Sequence, residues 1–152
     1  MNKLELIKKI NKLFSEALII EKNPIIKIKI SKTKFISFMN ILKTNKDLSF
    51  DMLYDHTAID WIYKNEFELI YNLYSTTYGY HIIVSVNISR SDPRIITVSN
   101  IWSISEWQER ETYDLFGILY EDHKDLRRLF LNDDWNGYPL RKDYKDNFML
   151  ER

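Results

Sequence analysis

The run Phe67-Glu68-Leu69-Ile70-Tyr71-Asn72-Leu73-Tyr74, the link Ser75-Thr76-Thr77-Tyr78-Gly79 and the run Tyr80-His81-Ile82-Ile83-Val84-Ser85-Val86-Asn87-Ile88 decide the fold. Phe67, Leu69, Tyr71 and Leu73 alternate with Glu68, Asn72 and Tyr74, while Tyr80, Ile82, Val84, Val86 and Ile88 share one phase. A period of two places one face of each run in a core. The link ending in glycine predicts an antiparallel hairpin. His81 falls out of phase with Tyr80 and Ile82, which points it at solvent or a partner.

On the N-terminal side, residues 50–61 read as another strand. Before it, Phe35, Phe38, Met39 and Leu42 form a helical stripe that Ser31 or Thr33 could cap. Ile26, Ile28 and Ile30 alternate with Lys27 and Lys29, and Lys22-Asn23-Pro24 joins residues 25–30 to Leu18–Glu21 as a hairpin. Leu6, Ile7, Ile10, Leu13, Phe14 and Ala17 predict an amphipathic helix of about four turns, with Lys8, Lys9 and Lys12 on its wet face. The order α-β-β-α-β-β-β predicts an α+β fold, a two-layer sandwich with the helices on one sheet face. It is followed by a helix and an extended C-terminal arm. Residues 1–92 form the globular domain, 93–117 a helix region packing on it, and 118–152 the arm.

The helix of the second region spans residues 101–116, and Gly117 stands where a left-handed C-cap residue belongs. From Ile118 onward neither period persists. The arm is dense in charge and still carries Tyr120, Phe130, Trp135, Tyr138, Tyr144 and Phe148. Disordered tails are poor in aromatics, so these rings are expected to bury against the chain's own globule or against another protein.

Composition excludes several chemistries. With no cysteine there is no disulfide, thiolate nucleophile, cysteine-held zinc or iron–sulfur cluster. Three glycines leave no room for a phosphate-cradling loop or a dinucleotide fingerprint. Zero net charge argues against nucleic acid, although residues 1–50 hold eleven lysines and four acids. No stretch approaches the ~20 apolar residues of a membrane span, and the N-terminus fits neither a secretory nor a transit signal. A soluble, intracellular or organellar chain is expected. His56, His81 and His123 lie too far apart for a zinc motif.

The run Glu106-Trp107-Gln108-Glu109-Arg110-Glu111-Thr112-Tyr113-Asp114 tests for a carboxylate pair. On a helix Glu109 and Glu111 diverge by about 200°, against convergence on one substrate. Spacing of four instead pairs Glu106 with Arg110 and Arg110 with Asp114, a structural latch. Arg127-Arg128 beside Asp125, and Arg141-Lys142-Asp143, read as salt-bridge strips or as anchors of a protein interface.

Three ordered blocks then carry a resemblance. They are Glu109-Arg110-Glu111-Thr112-Tyr113-Asp114-Leu115-Phe116-Gly117-Ile118, His123-Lys124-Asp125-Leu126-Arg127-Arg128, and Asp133-Asp134-Trp135-Asn136-Gly137-Tyr138-Pro139-Leu140-Arg141-Lys142-Asp143-Tyr144. Together they resemble the signature of a hydrophilic-arm family of respiratory complex I, its C-type subunits. Leu53-Tyr54-Asp55-His56-Thr57-Ala58-Ile59-Asp60 looks like a weaker family strand. Lys124 stands where the family has proline and Tyr138 where it has histidine, and the family's longer C-terminal extension is mostly absent.

The resemblance implies a core subunit in the peripheral arm of proton-pumping NADH:ubiquinone oxidoreductase, enzymatic only as part of that complex. Catalytic, cofactor-binding and metal residues are expected to be none in this chain, with FMN and iron–sulfur clusters in partner subunits. It implies a C-terminal region lying on the quinone-site (D-type) subunit near the iron–sulfur subunits, contact with the membrane only through the complex, and no homo-oligomer. The expected location is the matrix side of the mitochondrial inner membrane or the cytoplasmic side of a bacterial membrane. Glu106, Glu109, Arg110, Glu111, Asp114 and Gly117 are then the latch of helix and arm. Arg127, Arg128, Trp135, Tyr138, Arg141 and Asp143 are the expected subunit interface. The competing readings are the equivalent subunit of a membrane-bound hydrogenase or plastid-type NDH complex, a stand-alone hydrolase using Glu109 and Glu111, and a free-standing adaptor.

Overall fold

A computed structural model of the chain describes residues 3–21 and 24–149. The expected turn residues Lys22 and Asn23, and residues 150–152 of the predicted arm, lie outside them. The elements run α1 (Lys3–Leu13), β1 (Leu18–Glu21), β2 (Ile26–Ile30), α2 (Phe35–Thr44), β3 (Met52–Trp61), β4 (Glu66–Ser75), β5 (Tyr80–Ser89), β6 (Arg94–Ile96), α3 (Ser105–Phe116) and β7 (Leu119–Glu121). This is the expected α+β order. One five-stranded sheet is ordered β1-β2-β5-β4-β3, and β6 and β7 form a second, two-stranded sheet.

The hairpin of β4 and β5 is the centre of the large sheet. Its strands pair antiparallel from Glu66↔Ser89 to Ser75↔Tyr80. Their in-phase residues Phe67, Leu69, Tyr71, Leu73, Ile82, Val84, Val86 and Ile88 are all buried. β2 joins β5 in parallel, Ile28 opposite Val84, so its three isoleucines continue the same face. α2 meets that face with Phe35 5.1 Å from the Tyr71 ring, and α3 meets it with Phe116 6.1 Å from Phe67. Phe35, Phe38, Met39 and Leu42 are buried, as their spacing predicts. Each large side chain so buried contributes about 1.5–3 kcal/mol.

Four local expectations change. The first helix ends at Leu13, three turns long; Phe14 and Ala17 lie beyond it, and Phe14 turns its ring onto Phe38 at 5.1 Å. Ser31 precedes a single 3-10 turn and makes no side-chain cap bond, because its hydroxyl faces Thr33 Oγ1 at 3.2 Å. The helix expected from residue 101 begins at Ser105: Ile101 and Trp102 donate to the Val98 carbonyl in a tight turn instead. The arm does contain regular structure, since β7 pairs in parallel with β6, Ile95 opposite Tyr120. Three-residue strands are too short to show a period, and only their tertiary pairing reveals them.

Candidate functional site: an arm clasped to the globule

Of the two occupants left open for the arm's rings, the chain's own globule takes the first. Ile118 and Tyr120 are buried in the main core. The following segment carries little regular structure, yet three clasps hold it to the body.

The first clasp is built on α3. Asp114 is fully buried, and its Oδ2 accepts the backbone N–H groups of Leu129, Phe130 and Leu131 at 3.1, 2.7 and 3.0 Å. Its Oδ1 accepts Arg128 Nη1 at 2.9 Å. Burial alone would raise this carboxyl, but Arg128 and the three N–H groups outweigh it and hold it below the ordinary aspartate value. Arg128 reaches on to the carbonyls of Trp135 and Gly137 at 2.9 and 3.1 Å. Arg110 caps the same loop, donating to the carbonyls of Arg127 and Arg128 at 3.2 and 3.0 Å, with its guanidinium 5.0 Å over Trp107.

The second clasp is the end of that helix. Gly117 adopts φ 75° as the left-handed C-cap and donates to the Tyr113 carbonyl. A Cβ there would stand 2.6 Å from the Tyr138 ring and 2.8 Å from Arg141 Nη2. Glycine is thus required both by conformation and by the approach of the arm. Arg141 Nε donates to the Phe116 carbonyl at 2.6 Å, its guanidinium lying 5.2 Å over Phe67 and 5.0 Å over Tyr138. Tyr138 also faces Arg128 at 5.2 Å, and so sits between two guanidiniums.

The third clasp ties the arm to the sheet. Asp60, buried at the end of β3, accepts Arg90 through both oxygens at 2.9 and 3.2 Å. It also accepts the Lys142 backbone N–H at 2.9 Å. Arg90 bridges onward to Asp143 at 2.5 Å.

Beneath the clasps lies a buried polar layer. Glu109 accepts Thr97 Oγ1 at 2.5 Å and the Val98 N–H at 2.9 Å. His56 Nδ1 donates to the Ile70 carbonyl at 2.9 Å, leaving Nε2 to accept the Tyr120 hydroxyl at 2.6 Å. Burial holds this imidazole down at about 4.

The expected latch is therefore rewired. Arg110 does not pair with Glu106 and Asp114 along the helix. Carbonyls of the arm claim its guanidinium, and Asp114 is claimed by four donors from residues 128–131. A converging tertiary donor set outcompetes a single i, i+4 neighbour, a pairing that on a solvated helix face is worth only ~0.3–0.5 kcal/mol. Glu106 takes part through its backbone carbonyl, which accepts His123 Nε2 at 3.0 Å. Glu111 is exposed while Glu109 is buried, so the two acids face opposite ways. Among the expected interface residues, Arg128, Tyr138 and Arg141 turn inward, and Asp143 binds Arg90. Arg127 is 67% exposed and pairs with its neighbour Asp125, and Trp135 is 39% exposed. Phe130, Leu140, Phe148 and Met149 add an exposed apolar rim to the arm.

Sequence reasoning misses Asp60 and Arg90 as clasp residues. A signal exists: Asp60 occupies the inward phase of its strand after Ala58, and a buried carboxylate there requires a cation.

A family model described as the respiratory-chain NADH dehydrogenase 30 kDa subunit matches residues 28–147. The C subunit of NADH-quinone oxidoreductase from Geobacter metallireducens is 39% identical over 119 residues, which cover 77% of this chain and 72% of the relative. The C/D subunit of the same enzyme from Phocaeicola vulgatus is 42% identical over 108 residues, 70% of this chain and 21% of that longer protein. Among solved structures, a chain of the membrane-bound sulfane sulfur reductase, an archaeal respiratory membrane complex, superposes with a TM-score of 0.83 at 28% identity. That match covers 93% of this chain and 85% of the other. A trypsin-resistant fragment of Nqo5 gives 0.71 at 26% identity, covering 83% of this chain and all of the fragment. Among the described residues no helix is long and apolar enough to cross a membrane.

Proposed function

The chain belongs to the family of the 30 kDa subunit of respiratory-chain NADH dehydrogenase, and from that premise we propose that it is the cofactor-free scaffold of the peripheral arm in a proton-pumping NADH–quinone oxidoreductase. Its role is to hold neighbouring subunits so that the geometry between iron–sulfur clusters and quinone is kept. Electrons then pass through FMN and clusters carried by the partners. The absence of cysteine from this chain supports that division of labour.

The observation that carries the reading is the arm itself. Three clasps set its shape before any partner arrives, while Phe130, Trp135, Leu140 and Phe148 keep apolar surface outward. A surface ordered in advance binds without a large entropic cost. In the Phocaeicola relative the C and D subunits share one name and one chain. That continuity supports the quinone-site (D-type) subunit as the arm's neighbour. The isolated chain is expected to show no turnover.

A second reading is favoured by the sulfane sulfur reductase match: the equivalent scaffold in a related membrane-bound complex. Blue-native electrophoresis of the tagged chain with in-gel NADH oxidation separates these outcomes. Comigration with NADH-oxidising activity is expected. Copurification with a nickel-bearing or sulfur-reducing subunit instead would establish the second reading, and a chain found only as a free monomer would overturn both.

A further inference from the structure

Glu109 differs from the other buried acids of the clasps. Among the described residues it has no lysine or arginine partner. Its nearest basic group is His123, whose Nε2 lies 3.9 Å from Oε2. That imidazole is already committed: Nε2 donates to the Glu106 carbonyl at 3.0 Å, and Nδ1 accepts the Asp125 N–H at 3.1 Å. Only the neutral Nε2–H tautomer satisfies both bonds. The remaining groups packed around the carboxyl bring no positive charge either. Burial keeps His56 on β3 neutral near pH 7, Tyr71 on β4 and Tyr120 on β7 are held protonated by burial, and Glu106 on its own helix repels a second negative charge.

Hydrogen bonds lead outward from this site. Thr97 Oγ1 lies 2.5 Å from Glu109 Oε2 and 2.8 Å from Ser99 Oγ. A hydroxyl has one proton, so it cannot donate to both. With Glu109 ionised, Ser99 donates to Thr97 and Thr97 to Glu109. With Glu109 protonated, both bonds reverse and the same oxygens keep their places. The Val98 N–H on Oε1 serves either state.

We propose that Glu109 is a reversible proton-binding site, filled through the Thr97–Ser99 hydroxyl pair, at the junction of α3, the turn at residues 97–99 and the base of the arm. The site belongs to the chain itself and stands whether or not the assembly reading holds. Burial raises the carboxyl to about 7, with Thr97, Val98 and Ser105 only partly opposing it. The proton is therefore exchanged near neutral pH, and its loss leaves an uncompensated charge in the core.

The test is a titration of the full chain by NMR with carboxyl-labelled glutamate, the Glu109 signal being assigned through its backbone. A midpoint near 7 is expected, moving higher in Thr97→Val, which removes the donor that the ionised form needs. A midpoint among the ordinary glutamates, near 4.5, would overturn the proposal. Glu109→Gln provides a second readout, since an amide mimics the protonated acid. Its melting temperature relative to the unsubstituted chain should rise by roughly 5–10 °C between pH 4.5 and 8. A gap that stays constant with pH would overturn it as well, and should this variant not fold, the wild-type titration decides alone.

Discussion

Asp114 and Glu109 are both fully buried carboxylates of one helix, five residues apart, yet the regions they anchor behave oppositely. Asp114 meets a guanidinium and three backbone N–H groups in the outer clasp. Glu109 meets only neutral donors in the inner layer, the Thr97 hydroxyl, the Val98 N–H and the neighbouring Ser105 hydroxyl. Burial costs both the same kind of desolvation. The donors decide the outcome, pulling one carboxyl below its ordinary value and leaving the other raised to about 7. A carboxylate is a fixed hook only where the chain delivers a cation to it.

Asp114→Ala removes the outer hook. It strands Arg128 half-buried and leaves three N–H groups unpaired. Removing one partner of a buried pair costs about 3–5 kcal/mol. Urea denaturation should show that loss, and limited proteolysis should open residues 128–137. A variant as stable as the parent would mean that the arm holds without its first clasp. The pH sign follows from the lowered value: Asp114 stabilises above its unfolded value of 3.8 and loses that contribution as pH falls through its folded one.

Glu109 carries the opposite sign, on the order of 3 kcal/mol. Its folded value lies above the unfolded 4.5, so stability falls as pH rises from 4.5 to about 7 and then stays level. His56, with a folded value of about 4 against 6.5 unfolded, makes stability rise with pH across that interval. The two nearly cancel between pH 4.5 and 6.5. A plateau is expected there in the thermal stability of the parent chain, and Glu109→Gln should replace it with the rising limb of His56 alone. A variant that keeps the plateau would show that His56 does not titrate as its burial requires.

What is legible in the sequence follows from how local each signal is. Alternation in β2, β4 and β5 and the stripe on α2 are period effects that a few residues suffice to display, and they place the core. Gly117 is legible because a C-cap is local too; its second duty under Tyr138 and Arg141 is not, since that depends on a chain returning some twenty residues later. The latch residues are visible while their partners are not. Spacing exposes Arg110's neighbours on the helix and hides the carbonyls of residues 127 and 128. The same logic conceals Asp60 with Arg90 and Glu109 with Thr97, pairings made across 30 and 12 residues by tertiary packing.

Gly117→Ala probes the middle of the comparison, where the helix carrying both acids ends. The alanine methyl would need φ 75° and would press on the Tyr138 ring. The conformational cost is about 1 kcal/mol, and the displaced ring adds about 1–3 kcal/mol. Thermal unfolding measures the sum. Pairing it with Tyr138→Ala should restore part of the stability relative to Tyr138→Ala alone, because the ring clash is removed while the backbone cost and the approach to Arg141 Nη2 remain. A double variant no better than the single one would assign the effect to backbone conformation and the Arg141 approach, and not to the ring.

The smallest expected effect separates the two adjacent arginines, Arg127 and Arg128. Arg128 is half of the first clasp, whereas Arg127 lies exposed against Asp125 at 3.0 Å. Exposed pairs contribute ~0–1 kcal/mol and screen with salt, so Arg127→Ala should leave the isolated chain's urea midpoint almost unchanged. Arg128→Ala should lower it clearly, by leaving Asp114 buried without its cation. The contrast matters most for assembly. Any defect of Arg128→Ala in the complex is confounded by its own unfolding, and the same holds for Arg141→Ala. A defect of Arg127→Ala, in a chain of unchanged stability, can arise only at a partner's surface. If complexes form normally with Arg127→Ala, that arginine leaves the interface and the exposed rings of Phe130 and Trp135 become the first residues to substitute.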